Sequence, residues 1–139
     1  MVEEAELARA VEERLNSARE RIAAAENLLK EGMLPDAVNR TYYAIFNAAK
    51  AVLITIGKDP KTHSGLLSEF GMWVIQKGLM PKEYGVILRK AFESRQTADY
   101  EMATEFSSDE VDDMLKGARK FVSEAERVSN KELKKYEEV

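Results

Sequence analysis

Apolar residues recur along this chain in steps of three and four, the period of a helix that buries one face, and no segment alternates in the two-residue period of a strand. The first stripe, Leu7, Val11, Leu15, Ala18, Ile22, Ala25, Leu28 and Leu29, predicts a helix over about 3–30. Gly32 suits the position after its end and Pro35 the first turn of the next helix, about 35–56. That second helix is apolar nearly all round from Ala44 to Ile56, which predicts a central position. Gly57 closes it, and a loop from Lys58 to Thr62 leads to a third helix with Leu66, Leu67, Phe70, Trp73 and Val74 turned inward. Gly78 and Pro81 repeat the stop-and-start pair before a fourth helix over about 81–97. The fifth begins at Ser107, where Glu110 three residues on completes a capping box and Phe106 can staple onto Val111. Its stripe is Val111, Leu115, Ala118, Val122 and Ala125. The expected fold is all-α, a five-helix up-and-down antiparallel bundle. A single domain is expected over residues 1–128, with 129–139 as a charged tail or a helical extension.

Composition narrows the function classes. The 139 residues suit one core, and 45% hydrophobic with 33% charged residues is ordinary for a soluble domain. No run of apolar residues is long enough to span a membrane, the acidic first residues do not resemble a signal peptide, and the expected location is cytoplasmic. Without cysteine there are neither disulfides nor thiolate metal ligands, and a lone histidine gives no metal-site signal, so no metal or cofactor is expected. A net charge of −4 argues against a broad basic surface for nucleic acid but leaves room for a small local anion site.

Two polar lines interrupt apolar faces. In the fourth helix the face Tyr84, Ile87, Leu88, Ala91, Phe92 continues into Arg95 and Asp99, a charged pair four residues apart. In the second helix Arg40, Tyr43 and Asn47 form a polar line. Buried charge is costly unless paired, so two such lines predict either one shared ligand site or a structural network between helices. As a site, Arg40, Tyr43, Asn47, Arg95, Asp99 and Tyr100 would offer anion donors, an acceptor and phenolic groups. If the Arg95–Asp99 pair is scaffolding, its loss is expected to cost about 3–5 kcal/mol. If it faces solvent, about 1 kcal/mol or less is expected.

The segments Arg40-Thr-Tyr-Tyr-Ala-Ile-Phe-Asn-Ala-Ala-Lys-Ala, Lys61-Thr-His-Ser-Gly-Leu and Arg95-Gln-Thr-Ala-Asp-Tyr, in that order on successive helices, resemble the HEPN domain over about residues 10–128. The resemblance implies a five-helix bundle that forms homodimers, often encoded beside a minimal nucleotidyltransferase as a toxin–antitoxin or related pair. It also implies, for many members, metal-independent RNA cleavage through an R-x4-6-H motif shared across the dimer.

Here the chain departs from that pattern. Tyr100 occupies the place of the motif's histidine, and Met102 the place of the tyrosine that is modified in the toxin form. A phenol with an ordinary pKa of about 10 is poorly suited to take a proton near neutral pH. The leading expectation is therefore a binding module that holds a nucleotide or an RNA end, or a nucleotidyltransferase partner. The alternatives are a ribonuclease with Arg95, Tyr100 and His63 as candidate catalytic residues, and a purely structural interaction protein. His63 has two readings, a residue hydrogen-bonded at a helix end or a base that reaches the polar site. Lys58 and Lys61 beside it are either solvated or part of a phosphate-binding loop. Trp73 is expected in the core.

Overall fold

The structure is a computed structural model that describes residues 2–100 and 106–137. Among the described residues five α-helices follow one another: α1 (Val2–Lys30), α2 (Leu34–Thr55), α3 (His63–Phe70), α4 (Lys82–Tyr100) and α5 (Ser108–Glu137). No strand occurs among the described residues. Helix α4 runs to Tyr100, past the expected end near 97. The ends of α1 and α2 and the start of α5 fall within a residue of where the sequence placed them because their chemistry is local. Gly32 and Gly57 adopt φ of 74° and 78°, a conformation that penalises any Cβ. The amide after each glycine bonds back to a carbonyl of the last turn, Met33 to Leu28 and Lys58 to Leu53. At α5 the Ser107 hydroxyl accepts from the Glu110 amide at 3.1 Å while the Glu110 carboxylate accepts from the Ser107 amide at 3.3 Å. Phe106 packs on the cluster that holds Val111.

The third helix departs from the expected regular stripe. After Phe70 the chain widens into a π-helical turn over Gly71–Ile75, where the Gln76 amide bonds to the Gly71 carbonyl. Phe70 and Val74 are buried as expected, but Trp73 is only half-buried. Its ring lies against the core with the Lys58 ammonium 4.1 Å from the centroid. The lysine is thus engaged with an aromatic face rather than free in solvent.

The long helices alternate in direction, as their cross-links show. Arg19 meets Glu126 and Arg119 meets Glu26, so α1 and α5 run antiparallel. Lys120 meets Glu83 and Ile87 lies beside Gly117, so α4 and α5 do too. At the centre lies α2, buried against α1, α4 and α5, with every residue from Ala48 to Leu53 inside. Tyr42, Ile45, Val52, Phe70, Leu88 and Phe121 anchor the main core. Each such side chain, fully removed from water, contributes roughly 1.5–3 kcal/mol. Residues 129–137 of the charged C-terminal stretch continue α5 as a helix. Leu133 packs on Val11, Leu15 and Ala51, and the Tyr136 hydroxyl donates to the Thr55 carbonyl at 2.7 Å. No helix among the described residues is long and apolar enough to cross a membrane.

Candidate functional site

The face of α4 grades from core to solvent along its length. Tyr84, Leu88 and Ala91 are buried, Phe92 and Arg95 half-buried, and Asp99 exposed. Arg95 therefore leaves the core where α4 passes the middle of α2, and its guanidinium lies over the rings of Tyr42 and Tyr43, 5.7 and 5.6 Å from their centroids. Its Nε is 3.1 Å from Asp99 Oδ2, an ion pair in which the side chains stay 23% and 34% exposed. The Nε–H does not point along that line and makes no hydrogen bond. The pair is thus neither a sealed internal salt bridge nor a free surface pair, and Arg95 retains unspent donors.

His63 approaches the same rings from α3. Its ring lies 5.6, 5.9 and 5.0 Å from those of Tyr42, Tyr43 and Phe46. Its Nδ1 is 2.6 Å from the Tyr42 hydroxyl. The histidine is therefore not a helix-end partner. That role falls to Thr62, whose hydroxyl accepts from the Gly65 amide at 2.9 Å and starts α3. Burial, and then the nearby Arg95 cation, hold the imidazole below its ordinary pKa, so the neutral form is favoured. Burial likewise pushes the Tyr42 phenol far up, against an opposing pull from Arg95. A protonated, fully buried phenol with no other acceptor must donate to Nδ1 or strand its proton. Hydrogen-bond satisfaction thus assigns the tautomer: Nδ1 accepts and Nε2 carries the hydrogen.

The loop that delivers His63 is tied down by charge. Lys50 of α2, only 6% exposed, donates to the Pro60 carbonyl and pairs with Asp59 Oδ1 at 2.9 Å. Lys61 takes the other carboxylate oxygen at 2.8 Å. The two ammoniums, Lys61 foremost, pull the Asp59 carboxyl down to about 2. Lys58 and Lys61 are thus both engaged within the protein, one on Trp73 and one on Asp59.

The sequence-predicted residues divide into three groups. Tyr43, Arg95, Asp99 and His63 converge. Arg40 and Asn47 belong to the other edge of α2: Asn47 accepts from Arg14 of α1 at 2.9 Å and donates to the Tyr43 carbonyl, while Arg40 lines a cleft against α1. Tyr100, at the end of α4, is 85% exposed. Met102 lies outside the described residues. Sequence reasoning missed Tyr42 and Phe46 as ring partners of His63. The aromatic positions 42, 43 and 46, spread over adjoining edges of one helix, were the available signal. Among the described residues no cluster of three or more acidic or imidazole groups is placed to hold a metal.

A Tyr-Tyr doublet on the central helix, covered by an arginine from the fourth and a histidine from the third, is the arrangement in which the three resembling segments meet. The model of the HEPN domain matches residues 11–128. The chain belongs to the HEPN domain family. It is 41% identical over 83 residues to a protein of Methanocaldococcus jannaschii named "Putative toxin", covering 60% of this chain and 62% of that relative. A second protein of that organism with the same kind of name is 31% identical over 119 residues, 86% of this chain and 81% of its own. A Thermotoga maritima protein named "UPF0332 protein" is 37% identical over 111 residues, 80% of this chain and 84% of its own. This HEPN chain is thus related to proteins named as toxins.

Proposed function

We propose that this HEPN protein is a phosphate-recognising module that binds a nucleotide or an RNA end and works as a homodimer with a nucleotidyltransferase partner in a toxin–antitoxin-like pair. The observation that carries the reading is the Tyr42–His63 hydrogen bond beside Arg95. It leaves a neutral Nε2–H on a half-buried ring near a guanidinium with unspent donors, two groups suited to phosphate oxygens. Tyr43 and Phe46, both half-buried, supply ring faces on which a base can stack. The relatives' names support the toxin–antitoxin setting, and the family resemblance supports the partner and the dimer.

The test is binding of ATP and of a short labelled RNA to the wild-type protein, Arg95→Ala and His63→Ala. A loss of tenfold or more in both variants, with the fold intact by circular dichroism, is expected; unchanged affinities sink the reading. Light scattering that returns a monomer at micromolar concentration counts against the dimer.

The ribonuclease reading retains one observation in its favour, a neutral histidine beside an arginine. It requires Nε2 to accept a proton, the reverse of the tautomer that Tyr42 enforces. RNA shortened in the presence of EDTA by wild type, and left whole by His63→Ala, would establish it instead.

A further inference from the structure

Three arginines on the α1–α2 side hold no carboxylate among the described residues. Arg14 and Arg21, seven residues apart on one edge of α1, are held by uncharged groups: Arg14 by the Asn47 amide oxygen at 2.9 Å, Arg21 by the Ser17 hydroxyl and carbonyl. Arg40 of α2 makes no hydrogen bond or ion pair with any described residue. Arg19, Arg95, Arg119 and Arg127, by contrast, each hold a carboxylate. Arg21 and Arg40 face the same cleft of about 490 Å³, together with Ala24, Asn27, Leu28 and Glu20. Two guanidiniums against one carboxylate leave an uncompensated positive charge in a concave site on a protein of net charge −4. Two like charges persist there at an electrostatic cost that an incoming anion would relieve.

We propose that Arg21 and Arg40, with the Asn27 amide, form a second anion site that takes a backbone phosphate of a single-stranded RNA that also engages Arg95. The choice of RNA as occupant rests on the proposed function; the anion site itself does not. Arg40 lies three residues before Tyr43, about 4.5 Å along the α2 axis and about 60° round it, toward α1. The half-buried Tyr43 ring, which Arg95 overlies, offers a stacking face for that strand on the same helix as Arg40. Arg14 continues the basic edge one α1 turn pair further.

Two measurements test it. Titration of the ¹⁵N-labelled wild-type protein with inorganic pyrophosphate should shift the Arg21 and Arg40 Nε–Hε resonances, and the shifts should persist in Arg95→Ala. In the second, Arg21→Gln/Arg40→Gln should bind a labelled eight-nucleotide RNA about tenfold more weakly. Its log-affinity against log-salt slope should fall by about 0.7 for one lost phosphate contact, while affinity for AMP stays unchanged. Absent pyrophosphate shifts at both arginines, together with unchanged RNA affinity in the double variant, overturn the proposal. If pyrophosphate shifts both arginines but wild type binds neither nucleotide nor RNA, the anion site stands, and the proposed function falls together with RNA as the occupant.

Discussion

His63 carries a pH signature whose sign follows from its surroundings. Burial and Arg95 hold its folded pKa below the ordinary value of about 6.5, so between those values the unfolded chain binds a proton that the folded chain refuses. Its contribution to stability is therefore full above about pH 6.5 and is lost as pH falls through the lowered value. Melting temperature should drop more steeply from about pH 7 to pH 5 in wild type than in His63→Gln; parallel curves would show that the imidazole titrates freely. Tyr42→Phe removes the donor that fixes the ring and should cost about 1–2 kcal/mol in a urea melt. Arg95→Ala removes a partly exposed ion pair and a guanidinium laid over two rings. Its cost should fall near 1–2 kcal/mol, between the values for a buried and a surface pair. A loss of 4 kcal/mol with no change in ligand binding would mark Arg95 as scaffolding.

At the scale of elements, the helix boundaries were legible because they depend on neighbours in sequence: a glycine after the last turn, a serine and glutamate three apart, a proline in the first turn. The π-turn at Gly71–Ile75 was not, since its apolar positions fit the ordinary helical period. The polar line of α2 misled for a geometric reason. At 3.6 residues per turn, Arg40 and Asn47 lie within about 20° of each other, but Tyr43 is about 60° round from Arg40. That rotation suffices for Tyr43 to face Arg95 while the other two face α1. The His63–Tyr42 bond joins residues 21 apart across a loop whose path no local pattern specifies. The anchor of that path, Lys50, reads in sequence as one polar interruption of an apolar run. Its role gives an element-scale prediction. Lys50→Met should leave α2 intact but speed amide exchange in residues 58–65, and should raise the Asp59 carboxyl from about 2 toward its ordinary value. The sign for stability follows. Asp59's contribution is present above about pH 4 and is lost as pH falls through about 2, so Asp59→Asn should flatten the acid limb of the melting curve. An unchanged acid limb would show that the carboxylate is unpaired in solution.

Over the whole molecule, the site depends on α2 being held on several sides while its outward edges stay free, and the far end of α5 shares in that restraint. Beyond the span of the HEPN match, Leu133 fills the second cluster with Val11, Leu15 and Ala51, and Glu132 is 7% exposed beside Lys135. The Tyr136 hydroxyl satisfies the Thr55 carbonyl, one of the last acceptors of α2. Deleting residues 131–139 would expose that cluster and orphan that carbonyl. The loss should be about 2–4 kcal/mol, the sum expected for one large apolar side chain and one hydrogen bond. For a chain of this length that lowers the melting temperature by roughly 5–15 °C. Ligand affinity at Arg95 should survive at temperatures where the truncated chain is folded, because Tyr42, His63 and Arg95 sit further along α2 from the site of damage. Thermal melts paired with ATP titration at low temperature check both halves. Full affinity with a depressed melting point places the extension in the support of the bundle, whereas affinity lost from a folded truncation would make the α5 extension part of the site.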